Sequence, residues 1–369
     1  MSGESLILLS IFVPICGSLL LPLVARVSVL LRNALSFLCV FLPFALSIVI
    51  YAHIRSGGEL SVNYPSPLGF NLSLSADFLA VYMACVSSFI SLVIVIYSFG
   101  YISRYDNQAE YYSMVVLFVG AMMGLVYSSN LIFMYIFWEI TALTSWRLIG
   151  FFREKEYVLR ADKAFLMTVF GAVIMLLGFV NIFAETGSFD LLTIEGVLKG
   201  ASISKLSVLL ILFGIFSKSA TLPFQVWLPD AGVAPSPVTA LLHAAVLVKI
   251  GVYVFVRLFV FTFNIEEVWH TAVPLIAGVS AIISGGAAFV ETDLKRIIAY
   301  STISQIGFIF LGLSIGNEIG IVGGLLYIFI HGLAKAGLFL CAGIVEQNTH
   351  TRDIRKMGGL AKTMPLTAL

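Results

Sequence analysis

The sequence predicts an all-α polytopic membrane protein with about eleven transmembrane helices. Of its 369 residues, 60% are hydrophobic and 11% are charged, whereas a soluble globular domain carries about 25% charged residues. The apolar residues fall into long runs, and a membrane-spanning helix needs about 20 mainly apolar residues. The same composition excludes intrinsic disorder, which requires low hydrophobicity and high charge. A formal net charge of +1 gives no electrostatic basis for nucleic-acid binding.

The predicted spans follow one another with short polar connections. They cover 5–25, 33–53, 77–100, 111–130, 131–152, 163–184, 206–229, 236–262, 269–290, 294–316 and 318–345. The longest polar insertions are 54–76 and 185–205. Within the first of them, residues 59–75 alternate polar and apolar side chains around Pro65 and Pro67, which predicts a short extracellular hairpin.

Basic residues near the ends of the spans predict the orientation. Most of the 21 Lys and Arg residues lie in the odd-numbered loops and in the C-terminal tail. Because cytoplasmic loops carry the excess of basic residues, we expect the N-terminus outside and the C-terminus in the cytoplasm. This arrangement suits a multi-pass protein of the cell inner (cytoplasmic) membrane.

The cysteine and histidine spacing gives no indication of a bound cofactor or metal. The four cysteines lie inside apolar stretches and form no CxxC pair, and the five histidines are scattered. Iron–sulfur and structural zinc sites need closely spaced ligands of these types. We therefore expect no metal site and no redox cofactor in the chain itself.

Four charged side chains fall near the middle of apolar spans: Glu139, Lys218, Lys249 and Lys335. A charged group at the centre of a membrane helix costs about 2.5–3.5 kcal/mol on insertion scales. Such groups must pair with each other, contact water, or gain and lose a proton. They are therefore candidates for an ion path.

Lys218 precedes a proline that interrupts its span. Pro223 has no N–H, so the carbonyl of Ser219 loses its helical partner. A broken helix beside a buried charge is a frequent device in transporters, because freed backbone groups solvate an ion. The alternative is a plain proline kink with a lysine that extends toward the membrane surface.

His243 and Lys249 share the next span. On a straight α-helix their side chains point about 120° apart, so they cannot form one ligand cluster, but they could line successive positions of a water-filled path. The alternatives are a buried structural pair for Lys249 and a hydrogen-bonded core histidine for His243.

His331 and Lys335 are four residues apart and share a face of the last span. Small residues surround them, including Gly332 and Ala336, so water or a neighbouring helix can approach closely. A proton-relay pair is our preferred interpretation, and helix packing around one satisfied polar pair is the alternative.

The tenth span is rich in hydroxyl and amide groups over residues 301–305. Asp293, Lys295 and Arg296 stand at its cytoplasmic end. An ordinary interfacial charge cluster and a role in ion intake are both consistent with this pattern.

Four stretches together resemble one protein family. The family comprises the antiporter-like, proton-translocating membrane subunits of respiratory complex I, with related subunits of multisubunit Na⁺/H⁺ antiporters and energy-converting membrane-bound hydrogenases. The resemblance runs from about residue 70 to the C-terminus. It is carried by NLIFMYIFWEITALTSW, FSKSATLPFQVWLPDAGVAPSPVTALLHAAVLVKIGVY, TDLKRIIAYSTISQIGF and HGLAKAGLFLCAG.

The resemblance implies two inverted five-helix repeats, each with one discontinuous helix. It divides the chain into an N-terminal three-helix segment (1–110), a first translocation repeat (111–262) and an incomplete second repeat (263–369). The C-terminal MGGLAKTMPLTAL normally leads into the second broken helix, which carries the last charged residue, so the second half-channel is expected to be incomplete. Arg147 stands where the family usually has an apolar residue, and we expect it to contact the cytoplasmic interface.

The resemblance also implies roles for the buried charges. Glu139 matches the glutamate that pairs with the lysine of the broken helix, Lys218. Lys249 matches the lysine that links the two half-channels. The other matched residues of this axis are His243, His331 and Lys335.

These observations predict a proton-translocating, antiporter-like subunit of a redox-driven complex, such as a complex I-like NADH/quinone oxidoreductase or a membrane-bound hydrogenase. Expected partners are the lipid bilayer, H⁺ and other membrane subunits, including related antiporter-like ones. One alternative is a Na⁺/H⁺ antiporter subunit, although Glu139 is the one obvious acid within the spans. The other is a truncated, non-conducting structural subunit.

Overall fold

The computed structural model describes residues 3–65 and 71–368, and it is mostly helical. Ten helices in this part of the chain are long and apolar enough to cross a membrane. The α-helices are α1 (Gly3–Val27), α2 (Val29–Arg55), α3 (Phe78–Tyr101), α4 (Gln108–Tyr127), α5 (Leu131–Ile149), α6 (Lys155–Thr186), α7 (Leu191–Leu198), α8 (Lys205–Lys218), α9 (Trp227–Asp230), α10 (Ser236–Ala240), α11 (Leu247–Phe255), α12 (Glu267–Val290), α13 (Leu294–Ser314), α14 (Glu318–Thr349), α15 (Leu360–Thr363) and α16 (Pro365–Ala368).

The predicted spans correspond to these helices, with one informative exception. The span predicted over 206–229 is discontinuous: α8 ends at Lys218, and helical structure resumes only in the short α9. The broken helix expected from Pro223 is therefore confirmed. The longest spans are α6 and α14, which each contain 32 residues and extend beyond the predicted 163–184 and 318–345.

The hairpin predicted between the second and third spans is present. Strand β1 (Leu60–Pro65) pairs antiparallel with β2 (Asn71–Ala76), with Leu60 opposite Ala76 and Pro65 opposite Asn71. The part of the prediction that concerns Pro67 lies outside the described residues.

One central segment, Ser236–Thr262, forms the core of the bundle and is the most buried of the long spans. It is not a regular α-helix, because π-helical turns at Leu241–Ala245 and Val256–Thr262 flank α11. α14 packs along its first half, α8 packs on α11, and α3 contacts both α14 and the first π-helical turn. The charges predicted to lie mid-membrane are thereby brought to the middle of the protein.

An ion pair holds the C-terminal end of the central segment in place. Arg257 is 8% exposed, and its guanidinium binds both carboxylate oxygens of Asp77, one of them at 2.8 Å. Asp77 also caps α3 by accepting the Ala80 N–H at 2.8 Å. Tyr253 hydrogen-bonds the same guanidinium and donates its hydroxyl proton to the Val126 carbonyl at 2.5 Å. This contact joins three helices at one end of the bundle.

Replacing Asp77 by Asn tests the contribution of the ion pair. Asn caps helices about as well as Asp, so the substitution removes the charge and retains the cap. We expect the free energy of unfolding to fall by about 1–3 kcal/mol, the usual contribution of hydrogen bonds to charged groups. Asp190→Asn is the matched control, because Asp190 caps α7 through Thr193 and forms no ion pair among the described residues. Equal thermal stability of the two variants in detergent would contradict the assignment.

Candidate functional site

Lys218 lies at the break between α8 and α9. The amide of Ser219 still reaches the Ile215 carbonyl, but Ala220 then adopts a left-handed conformation with φ of 52°. The indole N–H of Trp227 donates to the Ser217 carbonyl at 2.9 Å, which satisfies one of the carbonyls near the helix end. The break therefore places an ammonium group at a helix C-terminus, where the helix dipole favours a positive charge.

The ammonium of Lys218 is fully buried against α5. It donates to the Trp138 carbonyl at 3.1 Å and lies 5.2 Å from the centre of the Trp138 indole ring. A cation over an indole face is attracted by the negative charge of the ring face. The lysine therefore has two weak stabilising contacts in place of a carboxylate.

The expected direct pair between Glu139 and Lys218 is not formed in this structure. Within the described residues, no ion pair of 4.0 Å or less joins them, although their charges interact across the α5–α8 interface. One carboxylate oxygen of Glu139 is buried without a hydrogen-bond partner. The Lys218 ammonium binds the carbonyl of Trp138, the residue before Glu139, so the two charged groups are near each other without a direct contact, and their functional pairing stays a prediction.

Lys249 is held by the irregular part of the central segment. The backbone leaves helical geometry at Val246, with φ of −137° and ψ of −63°, and the Lys249 ammonium donates back to the Ala244 carbonyl. The ammonium lies against Gly332 of α14, where a Cβ atom would overlap it. The straight α-helix assumed for the separation of His243 and Lys249 is therefore wrong, because a π-helical turn and a break lie between them.

Both buried histidines lack hydrogen-bond partners. His243 and His331 are 0% and 3% exposed, and all four of their ring nitrogens are without a partner among the described residues. The ring of His243 packs on Phe339, with 4.6 Å between the ring centres. Buried polar groups in native proteins are normally satisfied by protein or ordered water. These nitrogens therefore mark positions where water is expected.

Lys335 completes a cluster of basic side chains. Its ammonium donates to the Ser301 hydroxyl at 2.6 Å, a contact with the polar stretch of the tenth span. His331 lies close enough to Lys249, Lys335 and His243 to interact electrostatically with all three. In the described part of the chain, no carboxylate forms an ion pair with these groups. Because like charges at short range repel, simultaneous protonation of all four groups is unfavourable.

A second cluster of charged side chains lies at the end of the bundle that contains α9. Asp230 accepts hydrogen bonds from Lys163 at 2.7 Å and Arg296 at 2.8 Å, and Arg296 also binds Glu291 at 2.8 Å. The hydrogen bond from Arg296 lowers the pKa of Glu291 below its usual value. This network ties the second part of the broken helix to α6 and α13.

Three features of the site were not predicted from the sequence. Arg147 and Arg153 both bind Glu110, so Arg147 has an ion-pair partner within the chain. Lys295 is 2% exposed and pairs with Glu346 of α14 at 2.7 Å. Gly332 makes room for the Lys249 ammonium. One indication of this contact was present in the sequence, namely that Gly332 directly follows His331. No group of three His, Cys, Asp or Glu side chains in the described residues is arranged to hold a metal ion.

Comparison with known families places these residues in context. The family described as NADH:quinone oxidoreductase/Mrp antiporter, TM, matches residues 128–369. The family described as NADH-Ubiquinone oxidoreductase (complex I), chain 5 N-terminus, matches residues 64–112. All six predicted site residues lie within the first match.

Curated relatives include subunits of sodium/proton antiporters. A Na(+)/H(+) antiporter subunit of Staphylococcus haemolyticus is 33% identical over 385 residues, covering 98% of this chain and 48% of the relative. A Na(+)/H(+) antiporter subunit of Alkalihalophilus pseudofirmus is 36% identical over 357 residues, covering 88% of this chain and 43% of the relative. The chain thus spans about half the length of the curated relatives it matches.

Two solved structures share the fold. A chain of the Mrp complex from Dietzia sp. superimposes with a TM-score of 0.88 at 30% identity, covering 98% of this chain and 40% of the other. A chain of the membrane-bound sulfane sulfur reductase, an archaeal respiratory membrane complex, gives a TM-score of 0.90 over 98% of this chain and 75% of the other. Its identity is 23%, so it shows a common fold alone.

Close packing between α11 and α8 positions Lys249 relative to Lys218. A substitution at Gly251, which lies at this contact, tests the packing. A Cβ atom at this position would lie 2.6 Å from the Ile215 carbonyl oxygen, a backbone atom that cannot move without shifting α8. We expect Gly251→Ala to lower the free energy of unfolding by about 1–3 kcal/mol through overpacking. Gly337→Ala in α14 is the control, because its Cβ would meet nothing within 4 Å. Thermal unfolding that is unchanged in both variants would contradict this packing.

Proposed function

We propose a function on the basis of the family: the chain belongs to the NADH:quinone oxidoreductase/Mrp antiporter transmembrane family. It is an antiporter-like, multi-pass membrane subunit. We propose that it conducts protons as part of a multisubunit Na⁺/H⁺ antiporter in the cytoplasmic membrane, with other membrane subunits as partners.

The main support for this proposal is the buried cluster of basic side chains. Lys249, His243, His331 and Lys335 occupy the centre of the bundle without a neutralising carboxylate in the described residues. Charged groups inside membrane proteins are costly and characteristically mark ion pathways and proton relays. Imidazole and ammonium groups exchange protons with water and bind alkali cations poorly, so the path suits H⁺ better than Na⁺.

The relatives support one of the two conducting alternatives. Relatives of at least 32% identity are sodium/proton antiporter subunits, and the 30% identical structure belongs to an Mrp complex. They favour the antiporter alternative over a redox-driven complex. The non-conducting alternative is disfavoured by the four buried charges, because an inert scaffold gains nothing from their desolvation cost.

Glu139 and Lys218 supply the coupling step of the proposed mechanism. In one position, seen here, the Lys218 ammonium donates to the Trp138 carbonyl, and one carboxylate oxygen of Glu139 has no hydrogen-bond partner among the described residues. In the other, the ammonium contacts Glu139 and is held protonated by the carboxylate. Charge movement in a neighbouring subunit selects between the two. Loss of the carboxylate leaves a desolvated ammonium, which favours proton transfer toward Lys249.

From Lys249 the proton moves along the cluster to His331 and Lys335. Gly332 places the Lys249 ammonium directly against α14, one residue from His331. We propose that residues 111–262 form the first translocation repeat, preceded by a three-helix segment (1–110), and that residues 263–369 belong to the second repeat. The excess of basic residues at one membrane face supports an outside N-terminus and a cytoplasmic C-terminus.

Substitution of the coupling and linking residues tests this proposal in the assembled complex. We expect Lys249→Ala, Lys218→Ala and Glu139→Gln each to abolish sodium-driven proton release from acidified inverted membrane vesicles, while the complex still assembles. The reason is that each substitution removes a proton-binding group or its counter-charge. The measurement is the fluorescence change of a pH-sensitive dye after a sodium pulse, with assembly checked by native electrophoresis.

Lys155→Ala is the matched control, because Lys155 is an exposed lysine at the start of α6. It is expected to retain full activity. Full sodium-driven proton release in the Lys249→Ala and Lys218→Ala variants would refute the proposed function.

A further inference from the structure

The β1–β2 hairpin has one apolar and one polar face. Val62 and Leu74 lie opposite each other in the hairpin and are 2% and 1% exposed. Because successive side chains of a strand point to opposite faces, Asn63, Asn71 and Ser73 share the other face, with Asn63 opposite Ser73. The hairpin therefore turns a row of amide and hydroxyl groups away from its apolar side.

This polar face borders a cavity of about 400 Å³ at the end of the bundle where α6 ends and α7 begins. In the orientation proposed above, this end faces outside. The volume falls within the range of small-molecule sites, about 300–1,000 Å³. The remaining wall consists of residues from the start of α5, the end of α6 and the start of α7, namely Asn130, Phe183, Gly187, Ser188, Phe189, Asp190 and Thr193.

Two deeply buried polar side chains line the cavity with hydrogen-bonding atoms that are not used. Ser73 is 5% exposed, and its hydroxyl has no partner among the described residues. Asn130 is 3% exposed, and its side-chain oxygen caps α5 by accepting the Ile132 N–H at 2.9 Å. Its amide nitrogen binds no group in the described part of the chain. Since buried polar groups are normally satisfied, a molecule in the cavity is expected to bond to both side chains.

Asp190 supplies a charged acceptor to the same cavity. One of its carboxylate oxygens accepts the amide and the hydroxyl of Thr193, at 3.0 and 2.9 Å. The other oxygen has no hydrogen-bond partner, and the carboxylate has no ion pair, within the described residues. Asn63 and Asn71 are exposed at the opposite side, and each carboxamide offers both donors and an acceptor. The wall thus mixes donors and acceptors around a single negative charge.

This mixture is poorly suited to a simple ion. The amide NH₂ group of Asn130 presents positive hydrogens that disfavour a cation, and the Asp190 carboxylate disfavours an anion. A hydroxyl group both donates and accepts, so it can donate to the carboxylate and accept from the amide. The polar part of the wall therefore matches a compound with several hydroxyl groups.

An aromatic pair forms the apolar part of the wall. Phe183 and Phe189 stack with 4.4 Å between their ring centres and 18° between their planes. An aromatic face carries negative charge and attracts positively polarised hydrogens. The C–H groups on one side of a sugar ring form such a surface, whereas a linear polyol has none. The aromatic pair therefore favours a sugar ring over other polyhydroxyl compounds.

We propose that this cavity binds one sugar ring. Asp190, Asn130 and Ser73 bond to its hydroxyl groups, and the ring lies with its C–H face against Phe183. A free sugar and the headgroup of a glycolipid present the same chemistry to the site. The binding does not require the ion path, so this proposal and the proposed function stand or fall separately.

The first experiment measures binding to the assembled complex in nanodiscs prepared without glycoside detergents. The probes are D-glucose and N-acetyl-D-glucosamine, with glycerol as the control ligand, and the measurement is saturation-transfer difference NMR. We expect transfer to the ring C–H protons of at least one sugar, about tenfold stronger than to glycerol, a ratio that corresponds to 1.4 kcal/mol. No transfer to either sugar, or equal transfer to glycerol, would overturn the proposal.

Nanodiscs that contain monoglucosyl diacylglycerol identify the source of the ring. Loss of the free-sugar signal in these nanodiscs would support the proposal with a membrane glycolipid as the ligand. An unchanged signal would support it with a sugar from solution.

A substitution of Asp190 assigns the binding to this cavity. Asp190→Asn retains the cap of α7 and removes the charged acceptor, so we expect the affinity for the sugar to fall at least about tenfold. Glu195→Gln is the matched control, because Glu195 is an exposed acid of the same helix outside the cavity wall. Unchanged affinity in the Asp190→Asn complex, or equal loss in both variants, would reject the site.

A substitution of Phe183 tests the aromatic wall. Phe183→Leu keeps an apolar side chain but removes the ring face, and we expect the affinity to fall about three- to tenfold. Phe170→Leu, at another exposed position of α6, should leave it unchanged. Equal affinity of the two variants would contradict the placement of the ring. The Lys249→Ala complex, which should lack transport, is expected to bind the sugar as the unmodified complex does.

Discussion

Each buried ammonium group must donate a hydrogen bond to an oxygen atom, and the rest of the structure depends on this requirement. Lys218, Lys249 and Lys295 donate to the backbone carbonyls of Trp138, Ala244 and Ala234, and Lys335 donates to the Ser301 hydroxyl. Of the four, Lys295 alone also has a carboxylate within 4.0 Å in the described residues. Neutral oxygens solvate a charge without fixing it as a strong ion pair would. In the proposed function, this weaker solvation lets the lysines hold their protons and still release them.

This constraint explains why the functional helices are irregular. A regular membrane helix uses its carbonyls internally, and no water is present in the hydrocarbon region to replace them. α8 ends at Lys218, and the central segment leaves helical geometry just before Lys249. Both irregularities lie inside the bundle and not at the lipid surface, where unsatisfied backbone groups would be most costly. The close approach at Gly332 then brings the Lys249 ammonium against α14.

The sequence predicted much of the fold because apolar runs and breakers are local signals. The spans, the hairpin and the break near Pro223 follow from composition, alternation and a missing N–H. The π-helical turn at Leu241–Ala245 contains neither proline nor glycine, so nothing in the local sequence distinguishes it from an α-helix. The pairing of Lys295 with Glu346 joins residues 51 positions apart on two packed helices and requires the tertiary arrangement. For the same reason, the sequence placed Lys295 in a charge cluster without deciding whether that cluster acts in ion intake.

The central claim is that water solvates the buried basic cluster. A structure of the assembled complex by electron cryomicroscopy, at a resolution that shows ordered water, tests it most directly. We expect water within about 2.7–3.2 Å of the ring nitrogens of His243 and His331. A dry cluster, with these nitrogens bonded directly to protein groups, would contradict the claim.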